Sequence, residues 1–77
     1  MTMHRVGTVV RTAGGLAIAR TEAGAEPPRI GSSVVDESLA TVGRVVDVFG
    51  PVDRPYVAVT PSDDDLAALV GGKLYAR

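Results

Sequence analysis

The sequence predicts an all-β fold, a small barrel of six or so short strands with at most one helical turn. Three observations predict it. Valine dominates the apolar residues, and a side chain branched at Cβ favours a strand over a helix. The apolar runs are short and are punctuated by Gly, Pro, Asp and Ser, which is strand-and-turn spacing. A Val-rich sheet with open edges invites aggregation, and closing it into a barrel removes the edges.

The elements follow in order. Met3–Thr12 (MHRVGTVVRT) and Leu16–Thr21 (LAIART) flank Ala13-Gly14-Gly15 and read as a β-hairpin. Residues 22–28, EAGAEPP, have turn composition. Arg29–Asp36 (RIGSSVVD) reads as a third strand, and Glu37–Ala40 as a turn. Thr41–Phe49 (TVGRVVDVF) is the most strand-like run. Strict alternation there puts Val42, Arg44, Val46 and Val48 on one face, and Gly43, Val45, Asp47 and Phe49 on the other. Both faces carry apolar groups, so the strand is expected to be covered on more than one side. Tyr56–Thr60 (YVAVT) and Lys73–Arg77 (KLYAR) complete the set, with Val45, Val57 and Val59 expected in the core. SDDDLAALVGG is the exception. Ser62 suits an N-cap, Asp63, Asp64 and Asp65 complement a helix dipole in the first turn, and Gly71-Gly72 is a stop signal. This acidic run therefore reads as a helix cap near residues 62–70 rather than as a metal site.

Composition bounds the function. The 77 residues make one domain, 1–77, and a hydrophobic content of 45% suffices for a modest packed core. The chain has no Cys, so it has no disulfide framework, thiolate metal site or thiol nucleophile. No apolar run approaches the roughly 20 residues of a membrane helix, and none resembles a signal peptide. The expectation is a soluble, cytoplasmic protein with no membrane partner. The net charge is −1 and the cations are scattered along the chain as Arg5, Arg11, Arg20, Arg29, Arg44, Arg54, Lys73 and Arg77. No global field draws it to nucleic acid.

Catalytic raw material is thin. His4 is the only histidine and reads as a solvated strand residue. Asp36 and Asp47 suggest a carboxylate pair, yet each lies in an apolar-flanked strand and reads as a strand-rim acid. Paired-acid chemistry also needs a concave pocket, which a small filled barrel seldom provides. Gly14-Gly15 lacks the frame of a phosphate cradle. The reading is of a non-enzyme with no cofactor and no metal. Direct RNA binding would need aromatic platforms in a basic groove. Phe49, Tyr56 and Tyr75 are the only aromatics, with no basic cluster around them in the sequence, and Arg44 and Arg54 read as solvated arginines.

One stretch asks for a different explanation: VFGPVDRPYVAV, residues 48–59. Pro51 and Pro55 each fix φ and restrict the preceding residue, here Gly50 and Arg54. A loop so constrained loses little entropy when a partner docks on it. Tyr56 is of a type enriched at interface hot spots. The residues alone leave two roles open for Tyr56 and Phe49, an interface anchor or a plug for the barrel end.

A resemblance favours the first. GSSVVDESLATVGRVVDVFGPVDRPYVAVTP followed by LVGGKLYAR resembles the Gar-family subunit of H/ACA ribonucleoprotein particles. The pattern is carried by Gly31, Val34, Asp36, Val42, Gly43, Val45, Asp47, Phe49, Gly50, Pro51, Val52, Pro55, Tyr56, Gly71, Leu74 and Tyr75. It covers residues 31–77 closely and residues 1–30 only as a hairpin. F-G-P-V-x-x-P-Y is its specific part, since the V-x-D…G-x-V-x-D half also occurs in PRC-type barrels. No Gly/Arg-rich tail flanks it, as in the minimal archaeal-type form. The resemblance implies a six-stranded barrel like that of translation-factor second domains. It further implies a non-catalytic subunit that binds the pseudouridine synthase and assists substrate RNA loading and release in guide-dependent pseudouridylation of rRNA. The catalytic aspartate would then belong to the synthase, and guide and substrate RNA would be touched only indirectly or weakly. Phe49, Gly50, Pro51, Val52, Pro55 and Tyr56 become the expected partner-binding residues. The alternatives are a stand-alone PRC-type barrel acting as an RNA-processing or ribosome-maturation adaptor, and a direct RNA-binding barrel.

Overall fold

The computed structural model describes residues 4–22, 27–62 and 66–76. Six strands alternate with turns: β1 (His4–Ala13), β2 (Leu16–Arg20), β3 (Ser33–Val35), β4 (Thr41–Phe49), β5 (Tyr56–Pro61) and β6 (Lys73–Ala76). They close into a barrel in the order β1-β2-β5-β4-β3-β6, and every neighbouring pair is antiparallel. The all-β, six-stranded barrel expected from the sequence is the observed fold.

The third strand is shorter than its apolar run. Only Ser33–Val35 joins the sheet, although Arg29–Asp36 reads as extended. Gly31 adopts φ +94°, and the Ser32 amide turns back to the Arg29 carbonyl at 3.1 Å. Gly31 and Ser32 still hold β4, because the Gly31 amide donates to Val45 and the Val45 amide to Ser32.

Strict alternation along β4 does not hold. The pairing shifts between Val45 and Asp47 against β5, and again opposite Val34 and Val35 of β3. Each bulge leaves one extra residue in β4, Val46 and Val42 respectively, and resets which side chains point inward. Val42, Gly43 and Val45 are buried, Val48 is half-buried, and Val46 is exposed. The strand is covered on one side only, and its apolar outward residue is a product of the bulge.

Val45, Val57 and Val59 lie in the core together with Val6, Val9 and Leu74. Ala17 and Ala19 of β2 face Val59 and Val57 of β5, so small side chains offset branched ones within a narrow barrel. Burying a Val side chain contributes about 1.5–3 kcal/mol. Two glycines let backbones cross closely. A Cβ on Gly43 would run into the Thr60 carbonyl, and one on Gly7 into the Arg20 carbonyl.

The helical turn is a 3₁₀ helix over Leu66–Leu69, whose last residue packs against the core. Asp63, Asp64 and Asp65 lie outside the described residues. Ser62 uses its amide and its hydroxyl on the Val42 carbonyl, at 2.7 and 3.0 Å. That hydroxyl ties β5 to β4; the N-cap role expected of Ser62 turns on amides that lie outside the described residues. Gly71 and Gly72 do more than stop a helix: the Gly71 amide donates to Val9 and the Val9 amide to Gly72.

Candidate functional site

The loop Gly50–Pro55 closes the β4–β5 hairpin at one end of the barrel. Phe49 and Tyr56 are its last paired residues, and alternation puts both side chains on the outer face. Their rings stack with centroids 5.7 Å apart and planes 23° from parallel, within the favoured offset range. Gly50 allows this. Its φ is +94°, and a Cβ there would lie 2.9 Å from Tyr56 Cδ2. Pro51, Val52, Asp53 and Arg54 form a turn in which the Arg54 amide donates to the Pro51 carbonyl at 3.2 Å. Val52 stands at its tip, 95% exposed.

The loop is also clamped from the side. Thr21, just past β2, is the one buried polar side chain among the described residues. Its amide and its hydroxyl both donate to the Pro55 carbonyl, at 3.2 and 2.7 Å. Arg54 Nε donates in return to the Thr21 carbonyl at 2.9 Å. The structure thus divides the expected partner-binding residues into two groups. Phe49, Gly50, Pro51 and Val52 are exposed and Tyr56 is half-buried, whereas Pro55 is buried and forms the base on which the others stand. Arg54 braces the same base and is not a free surface cation.

Asp36 and Asp47 do not come together. Asp36 closes the β3–β4 turn: its Oδ1 accepts from the Ser38 hydroxyl at 2.7 Å and from the amides of Ser38 and Ala40 at 2.9 and 3.1 Å. Chiefly through the Ser38 hydroxyl, these bonds hold the carboxyl below its ordinary pKa. Asp47 lies near the other end of β4 and accepts from the Val48 amide. His4 is exposed at the start of β1, on the rim of a cleft of about 240 Å³ shared with Arg5, Pro28, Arg29 and Ser32. Arg5 is paired with Glu22 at 2.7 Å. Among the described residues, no group of three or more His, Asp and Glu could hold a metal ion.

The linear sequence hid two participants. Thr21 is one, and the register of the strands is needed to find it. Arg20 is the other. It sits directly across from Tyr56, so the outer row of the sheet reads Thr8, Arg20, Tyr56, Phe49. The aromatic pair has a cationic neighbour that sequence spacing did not show.

Comparison with known proteins adds three findings. The family model described as the Gar1/Naf1 RNA binding region matches residues 3–77. An uncharacterized protein of Methanocaldococcus jannaschii is 36% identical over 73 residues, covering 95% of this chain and 83% of that protein. The solved structure of the Gar1 domain of Naf1 superposes with a TM-score of 0.76 over 97% of this chain and 81% of its own, at 20% identity, a likeness of fold.

Proposed function

The chain belongs to the Gar1/Naf1 RNA binding region family, and from that premise we propose that it is a non-catalytic accessory subunit of an H/ACA ribonucleoprotein. In this reading the barrel docks on the catalytic domain of the pseudouridine synthase without needing the guide RNA. Docked there, it favours loading and release of the substrate RNA by biasing a mobile loop of the synthase. The catalytic aspartate is the synthase's own. Ribosomal RNA is the modified substrate, and the cytoplasm is the proposed compartment.

The observation that carries the reading is the braced loop. Its exposed tip, Pro51 and Val52, projects from a base fixed by the Phe49–Tyr56 stack and the Thr21–Pro55 clamp. A surface already held in one shape gives up little conformational entropy on binding. Phe49 is exposed and Tyr56 half-buried, and Tyr and Phe side chains are the kind that anchor interfaces.

The family's name, an RNA binding region, favours a second reading in which the barrel touches RNA itself. Gel filtration separates the two. The chain is mixed in turn with the purified synthase subunit and with guide RNA. Co-elution with the synthase alone supports the docking role, and co-elution with RNA alone supports the second.

A further inference from the structure

The outer face of the sheet beside the loop carries an arrangement that the sequence scatters over four strands. The pairing Arg11–Ile18–Ala58–Asp47 runs across β1, β2, β5 and β4. It lies opposite the core side, because Ala17, Ala19, Val57 and Val59 point inward. Both ends of this row are bulged. The pairing slips between Val9 and Arg11 in β1, and between Val45 and Asp47 in β4. In such a bulge the extra residue turns out beside its successor, so Val10 and Val46 join the outer face, 44% and 41% exposed. Ile18 and Ala58 are themselves buried, so the accessible apolar groups are Val10, Val46 and, in the next row, the Phe49 ring, 38% exposed.

Charge is concentrated on the same face. Arg11 and Arg20 stand on β1 and β2, and Arg44 on β4, where it pairs with Thr60 of β5. All three are exposed, and among the described residues none is in an ion pair. The one carboxylate between them, Asp47, accepts from the Val48 amide. Asp36 and Glu37 lie in the β3–β4 turn, before the start of β4 at Thr41 and away from its loop end at Phe49. Among the described residues, Arg11, Arg20 and Arg44 outweigh Asp47 and the adjoining loop's Asp53, so a chain of net charge −1 presents here a locally positive face with exposed valines at either end.

We propose that this face, continuous with the Gly50–Pro55 loop, is the main docking surface of the barrel, and that its partner is a protein surface with an apolar centre and carboxylates opposite Arg11, Arg20 and Arg44. The inference rests on the accessory-subunit reading and names the chemistry of the synthase surface that reading requires. A protein fits better than a nucleic acid. Two valines displaced outward by bulges offer nothing to a phosphate backbone, while valine, aromatic and arginine side chains together make an interface core and rim. Phe49 and Tyr56 also stack on each other, which uses ring faces that bases would need. A standard interface takes about 800 Å² from each partner, roughly a sixth of the 4731 Å² the chain exposes.

The test is titration of the purified synthase catalytic subunit, and separately of a single-stranded RNA oligonucleotide, with four proteins whose melting curves are recorded in parallel. They are the unaltered chain, the double variant Val10→Ser/Val46→Ser, the double variant Arg11→Glu/Arg20→Glu, and Leu39→Asn in the distant β3–β4 turn as a control. The expected result is synthase binding that weakens tenfold or more in the valine variant. In the arginine variant it weakens more at low salt than at high salt, because the lost attraction is screened. Leu39→Asn binds as the unaltered chain does. Full synthase affinity in both face variants would overturn this inference while leaving the accessory role standing. Loss of RNA binding with synthase affinity intact would make the face a nucleic-acid surface and overturn it as well. If the unaltered chain did not bind the synthase, the accessory reading and this inference would fall together.

Discussion

The Thr21 hydroxyl donates to the Pro55 carbonyl at 2.7 Å, joining the end of β2 to the base of the β4–β5 loop across 34 residues of sequence. Thr21 is 1% exposed, so this bond is made out of water, where its loss leaves an acceptor poorly satisfied. Thr21→Val keeps the shape and removes the hydroxyl. The expected cost is about 1 kcal/mol, a fall in melting temperature of about 4–8 °C for a domain of this size. An unchanged melting curve would mean that the amide bond alone holds the loop base.

The glycines separate a backbone collision from a side-chain one. Gly43→Ala places a methyl group against the Thr60 carbonyl, in the middle of two paired strands that cannot part. Gly50→Ala meets the Tyr56 ring, which can turn aside, and adds the strain of a φ of +94°. Gly43→Ala is expected to prevent stable folding, whereas Gly50→Ala costs on the order of 1–2 kcal/mol and leaves a barrel. Circular dichroism melts of the two variants check the order.

In the core, Val45→Ala, Val57→Ala and Val59→Ala each remove two methyl groups from a buried site. Each is expected to cost on the order of 1–3 kcal/mol. Urea midpoints measure it, with Val52→Ala at the exposed loop tip as the neutral reference.

Much of this architecture is legible in the chain. Runs of β-branched residues between Gly and Pro clusters placed β4 at Thr41–Phe49, the range observed, and put Val45, Val57 and Val59 inside. What failed was the facing of β4, because a bulge is set by how two strands pair and leaves no local signature at Val46. The motif from Gly31 to Tyr75 pointed to the family, yet the family match begins at residue 3, where only a hairpin was readable. The site was half visible. Pro51 and Pro55 look alike in sequence, but one is exposed and the other is buried against Thr21. Arg11, Arg20 and Arg44 look scattered until the register of four strands places them on one face.

Acid should weaken the β3–β4 turn through Asp36. Three donors favour its ionised form and lower its pKa in the folded protein. Its contribution is therefore present above the unfolded carboxylate pKa of about 3.9, and is lost as pH falls through the lower folded value. Between about pH 7 and about pH 3, the urea midpoint of the unaltered chain is expected to fall further than that of Asp36→Asn. Equal falls would show that other carboxylates account for the acid sensitivity.

Docking on the synthase through the loop and the face beside it is the proposed role of this barrel. Its most direct test is the affinity of the purified synthase subunit for the unaltered chain, Tyr56→Ala and Tyr75→Ala, each corrected for its folded fraction. Tyr56 closes the exposed loop, while Tyr75 lies in β6, paired with Arg5 and Val35. Tyr56→Ala is expected to weaken binding about thirtyfold, the loss of an anchor worth about 2 kcal/mol, and Tyr75→Ala to lower only the melting temperature. Unchanged affinity in Tyr56→Ala, with stability alone reduced, would contradict it: the Phe49–Tyr56 stack would then be a plug at the barrel end, and docking would take place elsewhere.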